Sequence, residues 1–129
     1  MNAADLTFSA PGLFARLEQL DADALDNLDF GVIGFDGDTN VSRYNRVESE
    51  AAGLTAPRVV GQPLFTNVAP CLNNFMVAQR FEDAQDDATS LDDTIDYVLT
   101  LRMRPIKVAL RLLAEPGKAT RYVLVQRKV

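Results

Sequence analysis

The sequence predicts an α+β domain with one five-stranded antiparallel β-sheet, its helices placed on the connection between an early pair of strands and a late group of three. Three observations lead there. In the last third, Ile95, Tyr97, Leu99, Leu101 and Met103, then Ile106, Val108, Leu110 and Leu112, recur in period two against mostly polar neighbours, which is strand patterning. Residues 30–35 and 41–44 are β-prone and flank the turn-forming Asp36-Gly37-Asp38-Thr39-Asn40, which is hairpin patterning. Between the two groups, Val77, Ala78, Phe81, Ala84 and Ala88 share one helical face opposite Arg80, Glu82, Asp83, Asp86 and Asp87.

The remaining elements follow in order. Ser9-Ala10-Pro11-Gly12 opens a short helix whose Leu13, Phe14, Leu17 and Leu20 repeat at helical spacing. Ala22, Leu25 and Leu28 suggest a second short helix or turn, so residues 1–28 read as an N-terminal helical cap on a core of residues 29–129, within a single domain. After the hairpin, helix formers from Asn45 to Ala52 end at Gly53, and Ala56-Pro57 and Gly61-Gln62-Pro63 break the chain into short helical turns. A proline-glycine turn at Glu115-Pro116-Gly117-Lys118 leads into a last strand over 120–127. Two strands, helices, three strands is the plan of PAS domains, which place a pocket between the sheet and the connecting helices. Fold alone does not give function.

A chain of 129 residues with net charge −5 repels polyanions, so nucleic acid is not an expected partner. The apolar runs fall short of the roughly 18 residues of a membrane span, and no basic-then-apolar leader precedes the first helix. The expected location is the cytoplasm, without a membrane association.

Cys71 is the only cysteine, and the chain contains no histidine. An internal disulfide and a Cys/His metal site are both ruled out, and a thiol enzyme lacks its usual base. Packing or covalent attachment of a ligand remains. Pro70 biases Ala69 toward extended backbone, and the segment after Cys71 leads toward the long helix, so the thiol is expected just before a helix N-terminus. A second constellation is Tyr44-Asn45-Arg46-Val47-Glu48, whose phenol and carboxyl, four residues apart, share a face if the chain turns helical there. Taken alone, those two residues are better accounted for as a surface tyrosine beside a solvated helix face.

Together, Phe30-Gly31, Ile33, Asp36-Gly37-Asp38, Asn40, Tyr44-Asn45, Glu48, Gly53, Gly61, Phe65, Val68-Ala69-Pro70-Cys71, Tyr97, Met103, Pro105 and Lys107-Val108 resemble the photoactive yellow protein family of blue-light sensors. The likeness runs from about the second helix to the last strand. It implies a covalent chromophore, 4-hydroxycinnamic acid (p-coumaric acid), joined to Cys71 as a thioester. It also implies that Tyr44 and a protonated Glu48 hold the buried phenolate, with Ile33, Ala52, Leu54, Phe65, Ala69, Pro70, Tyr97, Leu99 and Met103 around it. Light would isomerise the vinyl bond, Glu48 would surrender its proton, and partial unfolding, beginning at the cap, would form the signalling state. Physical logic agrees with that order of protons: a carboxyl in an apolar pocket resists ionising, whereas donors and a conjugated thioester favour an ionised phenol.

Three positions depart from the family's pattern. Ala52 stands where a threonine supports the tyrosine hydroxyl, Leu54 where an arginine shields the phenolate end, and Leu99 where a phenylalanine forms pocket wall. Arg43, Arg46 and Arg104 are the sequence's candidates for the missing cation. The resemblance implies a non-enzymatic receptor acting on an unidentified downstream signalling protein, itself a monomer or weak dimer. The alternative is a PAS module without chromophore, binding a ligand or partner, with Cys71 merely structural.

Overall fold

Leu110 to Leu113 are buried at every position along one strand, which requires a sheet covered on both faces. The computed structural model describes residues 6–100 and 105–127. Strands β1 (Gly31–Phe35), β2 (Val41–Tyr44), β3 (Leu91–Leu99), β4 (Ile106–Ala114) and β5 (Arg121–Arg127) form one sheet in the order β2-β1-β5-β4-β3. Every neighbouring pair is antiparallel. The expected α+β fold is present, and β3 begins four residues before the expected Ile95, pairing Leu91 with Ala114.

One face carries Ile33, Val108, Leu110, Leu112, Val123 and Val125. The connection from β2 to β3 covers it with helices α3 (Arg46–Ala52), α4 (Ala56–Val59) and α5 (Ala78–Asp87), a π-helical turn at Leu64–Val68 and a 3-10 turn at Pro70–Leu72. The opposite face, with Val32, Leu113, Tyr122 and Leu124, is covered by helices α1 (Leu13–Glu18) and α2 (Ala22–Asp26) through Leu13, Phe14, Leu17 and Leu25.

Helix α5 starts later than the apolar spacing suggests. Asn74 Oδ1 accepts from the N–H groups of Met76 and Val77 at 2.9 and 3.2 Å, a side-chain turn that competes with the first helical turn. At the other end Ala88, expected on the buried face, is the left-handed C-cap (φ 52°) and is exposed.

Arginines fasten the cap. Arg43 donates to the carbonyls of Leu17 and Leu20 at the end of α1 and to the Tyr122 hydroxyl, while Arg46 engages Asp26. Arg111, which period-two patterning sets opposite the main core, is 7 % exposed on the cap side. Its Nε and Nη2 bind Asp92 at 2.8 and 2.9 Å, and its Nη1 donates to the carbonyls of Phe8 and Ala10 at 3.1 and 2.8 Å. The Arg111 guanidinium holds the Asp92 carboxyl below its usual range, with partial burial opposing.

Arg111→Gln is expected to destabilise the fold by about 1–3 kcal/mol, because two cap carbonyls lose a charged donor. Amide exchange should quicken first over residues 6–28; protection of the cap equal to wild type would contradict this. For Asp92 the folded-state pKa is depressed, so its contribution is complete above the ordinary aspartate range and disappears as pH falls through the lowered value.

Candidate functional site

Asn45 ends the hairpin and begins α3, and its side chain is fully committed. Oδ1 accepts from Val32 N–H at 2.9 Å and from Glu48 N–H at 3.2 Å, the latter capping α3, while Nδ2 donates to the carbonyls of Leu25 and Phe30 at 2.9 and 3.0 Å. At 1 % exposure it joins the cap, β1 and α3. With Asn45 so held, Tyr44 leaves β2 into the core on one side and Glu48 enters from α3 on the other.

Glu48 is also only 1 % exposed. Its carboxyl lies against the backbone of β1, where a Cβ on residue 31 would overlap Oε1 and stand 3.2 Å from the Glu48 Cβ. Gly31 therefore supplies the close approach that admits the acid. A buried carboxylate needs a partner, and Arg127 provides one: Nη1 to Oε1 at 2.8 Å and Nη2 to Oε2 at 3.1 Å. This bidentate ion pair differs from the protonated Glu48 that the resemblance implies, and its cation is none of the three arginines the sequence offered.

Tyr44 is 8 % exposed. Burial pushes this phenol well above the ordinary tyrosine range, the charge of Glu48 pushes the same way, and Arg127 pulls against both. Tyr44 is thus a neutral donor at all moderate pH values.

Cys71 sits in the 3-10 turn, half-buried and free. The expectation that it precedes the long helix is corrected, since α5 begins seven residues later at Ala78. Its carbonyl is clamped instead by the Tyr97 hydroxyl and by Asn74 Nδ2 at 3.2 Å, with Asn74 Nδ2 also 2.5 Å from the Tyr97 oxygen. Tyr97 holds the cysteine's backbone in place as well as forming wall.

The wall residues divide. Ile33, Phe65, Ala69 and Leu99 are buried in the same cluster as Tyr44, with Leu54, Cys71 and Tyr97 packed against it. Ala52 is buried on α3. Pro70 is corrected: it is exposed, so it shapes the backbone before Cys71 without lining the core. Met103 and Arg104 lie outside the described residues. Arg43 and Arg46 are spent on the cap, so neither supplies the missing cation. Sequence reasoning missed Arg127, although period two from Val123 and Val125 puts it on the same face of β5.

One donor stands buried without a partner beside the acid, Arg127 Nε. It fits a ligand that brings an oxygen acceptor beside Glu48. Among the described residues no group of three or more His, Cys, Asp or Glu side chains could hold a metal ion.

An α+β domain of this topology, with its clustered side chains between sheet and connecting helices, is a PAS domain. The PAS domain of the RpfR quorum-sensing receptor from Cronobacter turicensis superposes on it with a TM-score of 0.61 at 17 % identity, over 78 % of this chain and 95 % of that one, a likeness of fold alone. The photoactive yellow protein domain of the sensor histidine kinase Ppr from Rhodospirillum centenum superposes with a TM-score of 0.79 at 31 % identity, over 88 % of this chain and 98 % of that one. The chain belongs to the photoactive yellow protein family. Photoactive yellow proteins of Rhodothalassium salexigens and Halochromatium salexigens are 27 % and 26 % identical to it, over 80 % and 93 % of this chain and 82 % and 95 % of theirs. No protein-family model matches the sequence.

Gly31→Ala is expected to cost about 1–3 kcal/mol by overpacking against Glu48, and to cost much less in a Glu48→Ala background. Equal penalties in the two backgrounds, measured by chemical denaturation, would show that residue 31 does not seat the acid. In an ultraviolet pH titration, Tyr44 should contribute no phenolate absorbance through the ordinary tyrosine range, compared with Tyr44→Phe. Its raised pKa means that this stabilisation is whole below about pH 10 and lost as pH climbs through the folded-state value. A step near pH 10 that Tyr44→Phe removes would contradict its burial.

Proposed function

We propose that this chain is a non-enzymatic blue-light receptor, a single PAS-type domain of the cytoplasm, that carries a 4-hydroxycinnamoyl group on Cys71 as a thioester. One observation carries the reading: Cys71 packs against the core cluster that contains Tyr44, with Arg127 Nε buried and unpartnered beside Glu48. When bound, the group supplies absorption of blue light and isomerisation about its vinyl bond.

The chain's own residues do the rest. Cys71 Sγ is the anchor; Tyr97 and Asn74 hold the residue's carbonyl, and its side chain packs against the cluster. Tyr44 is the neutral donor. Glu48 Oε is the site that takes or surrenders a proton, and the apolar wall of Ile33, Phe65, Ala69 and Leu99 keeps water from competing.

A conformational output follows from where Glu48 sits. Leaving a carboxylate buried without its partner costs several kcal/mol, against a total of about 5–15 kcal/mol for a small domain. Asn45 binds both the Glu48 N–H and the Leu25 carbonyl of α2, so displacement of α3 loosens the cap directly. The partner that reads this change is a downstream signalling protein; net charge −5 argues against nucleic acid. Among the described residues no helix is long and apolar enough to cross a membrane.

Incubation of the purified chain with activated 4-hydroxycinnamate should give a coloured, light-bleachable adduct whose added mass Cys71→Ala abolishes. Glu48→Gln should keep the adduct but shift its spectrum. A colourless product without added mass would favour the chromophore-free PAS reading.

A further inference from the structure

The site holds a cation that the sequence did not offer. Arg127 closes β5 on the face of Val123 and Val125, reaches Glu48 across a sequence separation of 79 residues, and grips both carboxylate oxygens. The side chains of Arg127 and Glu48 are 22 % and 2 % exposed, so little water competes for either. The groups facing Glu48 are Tyr44 from β2, Arg127 from β5 and the bare backbone of Gly31 from β1. On α3 itself, Arg46 is bound to Asp26 and Glu50 is exposed. Arg127 is therefore the one described cation placed on this acid.

We propose that Arg127 is a positioning residue that holds Glu48 as a carboxylate, so that this acid enters the ligand site as an acceptor and takes a proton, thereby becoming a hydrogen-bond donor, only when the Arg127–Glu48 pair opens. An ionised carboxylate has no proton to donate. While the pair is closed, Glu48 can receive a hydrogen bond from a phenolic O–H but has no proton to donate to a phenolate; its charge disfavours a neighbouring anion and the charge of Arg127 opposes this, as the two do at Tyr44. When the pair opens, Glu48 Oε can take that proton: the phenolic O–H bond breaks, a carboxylic O–H forms, and the acid then donates back to the oxygen that gave the proton. No other group is required for the balance. Arg127 Nε, buried and unpartnered, marks a guanidinium with one more interaction to make when it moves. This rests on the phenolic ligand proposed above, but the charge on Glu48 is decided without it.

The first arm uses the chain with no ligand attached. Infrared spectra at neutral pH should lack a protonated-carboxyl band that Glu48→Gln removes. Arg127→Gln should acquire that band, and Arg127→Lys, which keeps the charge, should not. A Glu48 acid band already present in the wild type, or none in Arg127→Gln, would overturn the proposal. The second arm uses the chain loaded with activated 4-hydroxycinnamate. The wild type should show more of the short-wavelength, phenol-protonated form, and Arg127→Gln should move its ionisation midpoint down by about 1–3 pH units, while Arg127→Lys stays near the wild type. An unmoved midpoint would overturn the link from Arg127 to the ligand. Failure of any adduct to form would instead overturn the chromophore reading, and the infrared result would stand by itself.

Discussion

Everything at this site hangs on one buried amide. Asn45 uses its two side-chain polar atoms for four hydrogen bonds, and these reach β1, the first turn of α3 and the end of α2. A buried amide left half-satisfied would cost more than the bonds return, so the three elements are held to a single arrangement. That arrangement sends Tyr44 and Glu48, the residues on either side of the turn, into the same core.

The carboxyl that results is unusual in being both buried and charged. Its tolerance depends on two features far apart in sequence: Gly31, which leaves room against β1, and Arg127, which neutralises the charge from β5. A buried ion pair contributes little net stability over an apolar replacement, yet breaking it is costly. Such a pair suits a switch better than a staple. The cap packs on the sheet through buried Leu13, Phe14, Leu17 and Leu25, and arginine-to-carbonyl bonds from Arg43 and Arg111 with the Asn45–Leu25 contact fix its position.

The legible parts of the fold were those where one period dominates. Strands β4 and β5, the 30–44 hairpin and the buried face of α5 through Phe81 and Ala84 appear where alternation and helical spacing place them. Local chemistry that overrides periodicity was harder to read. Asn74 captures the N–H groups of Met76 and Val77 ahead of α5, and Cys71 sits in the 3-10 turn at Pro70–Leu72 and not at the start of that helix. Arg111 illustrates a second limit: alternation separates the faces of a strand but does not say that both are covered, and here the cap buries the second one. Of the site, Tyr44, Glu48 and Cys71 were legible through motif and resemblance. Arg127 was not, because a strand-terminal arginine looks solvated until the fold brings Glu48 beneath it.

The account stands on a sulfur at residue 71, packed against the core cluster that contains Tyr44, and on the paired acid at residue 48. A crystal structure of the chain after reaction with activated 4-hydroxycinnamate tests this most directly. Continuous density should run from Cys71 Sγ through an aromatic ring to an oxygen within hydrogen-bond distance of both Tyr44 Oη and Glu48. A ring turned outward to solvent, with Tyr44 and Glu48 untouched in the core, would contradict it.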